Sequence, residues 1–143
     1  MCGRIRRSHE FLQKKLYAHI KKKYKCEPEY LWRRFPDYAI FRHADNRKWF
    51  GLVMDVPREK LGLSGTERVD ILNVKLGDPF LVDMMIQREG ILKGYHISRG
   101  NWISILLDGT VPFAEICDLL EESFLTTAPR KTVKRCVKRD GSL

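Results

Sequence analysis

The amino-acid sequence predicts an α+β domain in which a mostly antiparallel sheet of about five strands has helices packed against it. Three observations lead there. The elements fall in the order helix, three strands, helix, two strands, helix, without the regular strand–helix alternation of a parallel sheet. Two stretches each carry a pair of aromatic and branched runs around a turn signal, as hairpins do. Between them, Asp78, Pro79 and Gly90 punctuate a helix at both ends.

The first helix is expected from about Ser8 to Lys25. Leu12, Leu16 and Ile20 recur every four positions there with Tyr17 and Tyr24 beside them, while Lys14, Lys15, Lys21, Lys22 and Lys25 point mostly away. Glu29 to Arg34 has room for a helical turn or two before Pro36 stops it. Tyr38–His43 and Lys48–Val56 are the first two strands, joined through Ala44, Asp45, Asn46 and Arg47. In the second strand both alternating sets, Trp49/Gly51/Val53 and Phe50/Leu52/Met54/Val56, are largely apolar, which places it centrally. A loop with Gly62, Ser64 and Gly65 leads to the third strand, Val69–Leu76. The helix opened by Asp78 and Pro79 should run about three turns to Glu89. Gly94–Ser98 and Asn101–Leu107 are the second hairpin, turning near Arg99 and Gly100. A last helix starts at Thr110 and Pro112, with Phe113, Ile116, Leu119, Leu120 and Phe124 as its apolar stripe.

A chain of 143 residues has room for one hydrophobic core. Residues 1–129 are therefore expected to be a single domain, and 130–143, RKTVKRCVKRDGSL, a basic flexible tail with too little apolar content to pack. No apolar run approaches the roughly 18 residues of a membrane span and no signal segment opens the chain, so a cytoplasmic location is expected. The four cysteines, Cys2, Cys26, Cys117 and Cys136, are widely spaced and read as reduced thiols.

The net charge of +9 is unevenly spread. Residues 1–25 hold nine basic and one acidic side chain, a net +8; residues 26–129 hold twelve and sixteen, a net −4; residues 130–143 hold six and one, a net +5. Attraction to phosphates must therefore come from the two ends and from local patches rather than from the body.

Catalytic chemistry finds no support in the spacing. Cys26 or Cys117 could be grouped with His43 or His96 and with Asp45 or Asp108, but nothing brings them together, and Cys117 falls near an apolar stripe where a free thiol packs as a small core residue. His96 reads as a hydrogen-bonded sheet residue. His9, His19, His43 and His96 have no companion at metal-ligand spacing. Asp45-Asn46 and Asp108-Gly109 are turn chemistry, and Gly62 and Gly65 are not followed by the lysine-serine or lysine-threonine pair of a phosphate loop. Trp32, Trp49 and Trp102 sit among apolar neighbours and are expected in the core. No catalytic, cofactor-binding or metal-binding residue is expected.

Three segments, WRRFPDYAIFRHADNRKWFGLVMDV (Trp32–Val56), VDILNVKLGDP (Val69–Pro79) and GILKGYHISRGNWISILLDGTVP (Gly90–Pro112), resemble MmcQ/YjbR proteins in content and order. The resemblance covers about Glu27 to Pro129, departs at the Arg99-Gly100-Asn101 turn, and excludes the basic first segment and the tail. It implies a compact α+β fold related to frataxin-like and secretion-chaperone-like domains, sometimes called a double wing, for which DNA binding has been proposed.

The function expected from residues and resemblance together is binding rather than catalysis. A nucleic-acid-binding module of weak or no sequence specificity comes first, with DNA as its partner; a protein- or peptide-binding adaptor is the alternative and a small-ligand protein the third reading. The candidate phosphate contacts are Lys14, Lys15, Lys21, Lys22 and Lys25 on the first helix, Arg33 and Arg34 beside it, and Arg47, Lys48 and Arg99 at the hairpin tips. A solvated lysine face that serves solubility alone is the competing account of the helix. The two accounts part on whether the lysines and both tips lie on one side of the molecule.

Overall fold

A computed structural model describes residues 2–95, 97 and 100–129, with backbone alone for residues 2–10. Helix α1 (Cys2–Tyr24) is followed by β1 (Ala39–Arg42), β2 (Trp49–Pro57), a short 3₁₀ turn (Arg58–Leu61), β3 (Arg68–Lys75), α2 (Pro79–Met85), β4 (Ile91–Lys93), β5 (Trp102–Leu106) and α3 (Phe113–Thr127). The five strands form one sheet in the order β1-β2-β3-β5-β4, with every neighbouring pair antiparallel. This is the predicted α+β architecture.

The apolar stripes build its core. Leu16 and Ile20 of α1 and Ile116, Leu119 and Leu120 of α3 are buried against Phe41, Phe50, Val53, Leu72 and Val74 on one face of the sheet. The opposite face carries Ile40, Leu52, Met54, Val56, Val69, Ile71 and Leu106, covered by loop residues such as Trp32, Tyr38, Leu61 and Tyr95. All three tryptophans are half-buried, with Trp32 and Trp49 packed against this second cluster. Cys117 is half-buried at the margin of the α3 stripe rather than within the core.

Helix α1 ends where Lys25 enters the left-handed region at φ 55° and its N–H bonds back to the Lys21 carbonyl at 3.1 Å, a single-bond left-handed cap. Its first turn lies well before the expected Ser8. The segment expected to coil at Glu29–Arg34 is not helical. Glu29 instead exchanges both backbone hydrogen bonds with Ile40 at 2.9 Å, because β1 is an edge strand whose unpaired groups compete successfully for a short segment bounded by Pro28 and Pro36.

The pairing Phe41↔Gly51 followed by Arg42↔Trp49 leaves Phe50 as an extra residue in β2. This bulge overturns the simple alternation at the start of the strand. Phe50 joins Val53 on the helix-covered face, while Trp49 joins Leu52, Met54 and Val56 on the other.

Two further boundaries differ from expectation. Asp78 caps α2 by accepting from the Phe80 N–H at 2.9 Å, with Pro79 following, but the helix unwinds after Met85 instead of Glu89. It must, because β4 begins directly after Gly90, not at Gly94: Ile91 is already paired with Ile105. Gly90 sits at φ 90°, and a Cβ there would lie 2.8 Å from Val111. The hairpin loop consequently starts at Gly94 and is longer than two residues. His96, Arg99 and the tail 130–143 lie outside the described residues.

Candidate nucleic-acid interface

The antiparallel register puts both hairpin tips at the same end of the sheet. Arg42↔Trp49, Lys75↔Trp102 and Lys93↔Ile103 are the terminal pairs there, and the loops 43–48 and 94–101 both emerge from that end. Helices α1 and α3 bring their C-terminal turns to it as well. Tyr24 stacks on Phe124 with ring centres 4.3 Å apart and donates from its hydroxyl to Glu121 at 2.8 Å. The Ser123 hydroxyl donates to the Phe50 carbonyl at 2.7 Å and accepts the Lys75 N–H at 2.9 Å. Pro129, from which the basic tail departs, follows directly on α3.

Of the residues singled out in the sequence, this arrangement gathers five: Lys21, Lys22 and Lys25 at the end of α1, and Arg47 and Lys48 at the first tip, all exposed. Lys25 and Arg47 share the wall of a cleft of about 300 Å³, and both adopt the left-handed backbone, at φ 55° and 64°. Lys14 and Lys15 lie on the same helix but about 9–10 Å along it from Lys21 at 1.5 Å per residue, and Lys15 rests over the Phe113 ring at 4.4 Å. Arg33 and Arg34 are exposed on the segment that runs along β1. The loop that holds Arg99 belongs to the same end of the sheet, although Arg99 itself lies outside the described residues.

Two basic residues were missed by the sequence reading. Lys75 ends the central strand between the two tips, its side chain beside Gly100, and Lys93, exposed, ends β4. Neither stands out in the sequence, because only the strand order puts Lys75 between the loops and only the early start of β4 puts Lys93 at the foot of the second.

The electrostatics of the end are not uniformly positive. Arg42 makes a two-pronged contact with Glu29 at 2.6 and 2.7 Å, and this hydrogen bonding holds the Glu29 carboxyl below its ordinary range. Arg47 approaches the same carboxylate at 3.7 Å, and Lys21 pairs with Glu27 at 3.2 Å. In the cleft Lys25, Arg42 and Arg47 face Glu27, Glu29 and Asp45, so positive and negative charges balance. Lys22, Lys48, Lys75 and Lys93 have no carboxylate partner among the described residues and carry the excess.

His43, at the base of the first tip, is 5% exposed and makes a 2.8 Å hydrogen bond to Thr127 Oγ1. That hydroxyl spends its proton on the Ser123 carbonyl at 2.8 Å, so His43 Nε2–H is the donor in this bond. Burial lowers its pKa, outweighing the Phe124 backbone and Asp45, which favour the charged form. The unfolded chain takes up this proton near pH 6.5, so the stabilisation is complete above about pH 6.5 and is lost as the pH falls below it toward the folded value. We expect the free energy of unfolding in urea to fall between pH 7.5 and 5.5 with a slope of at most about 1.4 kcal/mol per pH unit for one proton, and His43→Gln to remove that share. His19, lowered mainly by burial and next by Lys23, contributes in the same direction and is retained in that variant.

Among the described residues no group of three His, Cys, Asp or Glu side chains could hold a metal ion, and no helix is long and apolar enough to cross a membrane. The described cysteines, Cys26 and Cys117, have thiols pushed up by burial, away from the thiolate a nucleophile needs.

Fold and site define an α+β protein whose antiparallel sheet is covered by helices on one face and presents basic side chains at one end. The chain belongs to the YjbR family, whose sequence model matches residues 21–126. It is 46% identical over 112 residues to the uncharacterized protein YyaQ of Bacillus subtilis (strain 168), covering 78% of this chain and 94% of YyaQ. A crystal structure of a Pseudomonas syringae protein superposes with a TM-score of 0.78 at 42% identity, over 80% of this chain and 97% of that one. A crystal structure from Deinococcus radiodurans, at 19% identity and a TM-score of 0.54 over 74% of this chain and 70% of that one, shares the fold alone.

Proposed function

We propose that this protein is a non-enzymatic nucleic-acid-binding module that grips a duplex backbone with little or no sequence preference. The observation that carries the reading is the convergence, at one end of the sheet, of the last turn of α1, both hairpin tips and the departure point of a tail with six basic residues and one acidic. A solvated lysine face serving solubility would not require the two tips to join it. Phosphate contacts fix position without reading bases.

The protein-binding alternative has its own observation, since Phe80 and Met84, one turn apart on α2, are 77% and 65% exposed. Titrating the full chain into labelled duplex DNA of two unrelated sequences across a salt series separates the readings. The nucleic-acid reading expects similar affinities for both sequences and a steep fall with salt. Absence of binding even at low salt removes it in favour of the adaptor.

A further inference from the structure

The segment that leads into β1 keeps large apolar side chains in water. Tyr30, Leu31 and Phe35 are 54%, 51% and 45% exposed, three of the seven large apolar residues so exposed among the described residues, and they fall within six positions. The segment is nevertheless held firmly. Glu29 is bonded to Ile40 on both sides, Pro28 and Pro36 restrict the chain, and the Tyr38 N–H reaches the Phe35 carbonyl at 3.1 Å. Phe35 lies parallel to Tyr38 with ring centres 4.5 Å apart and an interplanar angle of 11°. Behind them Trp32 meets Tyr38 and Trp49 edge-on, both at 5.9 Å, and packs against the second core cluster.

Charge on the segment is one-sided. Arg33 and Arg34 are exposed and have no ion-pair partner among the described residues. Of the two carboxylates between Pro28 and Tyr38, Glu29 is occupied by Arg42, leaving Asp37. The segment continues to the basic end through Trp32, whose ring contacts Trp49, the residue directly after Arg47 and Lys48.

We infer that this segment is a binding ledge for single-stranded nucleic acid, with unpaired bases stacking on Phe35 and Tyr30 and the backbone phosphates meeting Arg33 and Arg34. Duplex bases are stacked on one another and offer no free face, whereas a single strand presents a face with every base and a phosphate between each pair. Exposed rings, Phe35 held against Tyr38 and Tyr30 beside it in sequence, interleaved with guanidinium groups that have no ion-pair partner among the described residues, suit that chemistry. The ledge rests on the nucleic-acid reading above and adds to the duplex-binding end a separate site for single strands.

The test uses the full chain with a fluorescein-labelled 15-nucleotide oligothymidylate and a labelled 15-base-pair duplex, followed by anisotropy at low salt. The expected result is at least roughly tenfold tighter binding of the oligothymidylate, with Phe35→Leu and Tyr30→Leu each weakening it about fivefold or more and leaving the duplex unchanged, since leucine keeps the apolar bulk and removes the ring face. Replacing Arg33 and Arg34 together by glutamine should flatten the single-strand salt slope by about 1.4. Both positions are exposed, and a melting curve on each leucine variant checks the fold; if one fails to fold, the other carries the reading. Equal affinity for both probes with neither leucine variant changing it overturns the ledge while the duplex reading stands. No binding to either probe overturns both. Self-association that Phe35→Leu abolishes without changing oligothymidylate affinity also overturns the ledge and assigns the surface to a protein contact.

Discussion

Phe50→Ala should lower the free energy of unfolding by about 3–5 kcal/mol, the range for emptying a fully buried aromatic site. Phe50 is 1% exposed and lies within ring contact of Tyr24, Phe41, His43 and Phe124, so the cavity left behind would open where α1, β1 and α3 meet the sheet. These partners are drawn from α1, β1, α3 and the loop after β1, none of which can collapse inward without losing its own contacts. The Ser123 hydroxyl bonds the Phe50 carbonyl rather than its ring, so the backbone bulge survives the substitution and the loss reports packing. Urea unfolding at pH 7.5 measures it, as a lower midpoint at unchanged slope. Phe80→Ala, on a side chain 77% exposed, should stay within about 0.5 kcal/mol. A loss below about 1 kcal/mol for Phe50→Ala would show that the residue does not face the helices, and the bulge assignment would fall with it.

That bulge marks where the sequence stops being readable. Strict alternation puts Phe50 with Leu52, Met54 and Val56, and nothing local to Trp49–Val56 announces an extra residue, because both faces of the strand are apolar and either register buries them. The helix stripes were legible for the opposite reason. Leu16 and Ile20, or Ile116, Leu119 and Leu120, bury on one side only, so their period alone orients the helix. Short elements were misjudged wherever a long-range partner decided them. Glu29–Arg34 yields to the open edge of β1, and Ile91 is drawn into the sheet by Ile105, which shortens α2. The candidate interface divides in the same way. Lys21, Lys22, Lys25, Arg47 and Lys48 could be named from charge and turn position. Lys75 and Lys93 could not, since Lys75 lies between the tips only because β3 sits between β2 and β5, Lys93 reaches this end only because β4 starts at Ile91, and the burial of His43 depends on Thr127, far along the chain.

Replacing Lys22, Lys25, Arg47 and Lys48 together by glutamine should weaken duplex binding on the order of 10³-fold at 0.1 M salt. Each phosphate contact contributes a slope of about 0.9 in log affinity against log salt, and 0.1 M lies one decade below the 1 M reference, so four contacts account for between three and four decades. The slope itself should fall by about 3.6 for all sequences tested, because these side chains meet backbone and not base edges. All four are exposed, and glutamine at Lys25 and Arg47 meets the same left-handed backbone that the native side chains already tolerate, so the fold should be retained. Lys14→Gln with Lys15→Gln is the internal comparison: the same helix, two charges removed, but one to two turns and more from the convergent end, with Lys15 engaged by the Phe113 ring. The geometry requires that pair to flatten the slope by less than about 1. If it matches the first set charge for charge, only net charge matters and the convergence of tips and helix ends has no functional meaning. If neither set changes the slope, the phosphates are held elsewhere, or not at all.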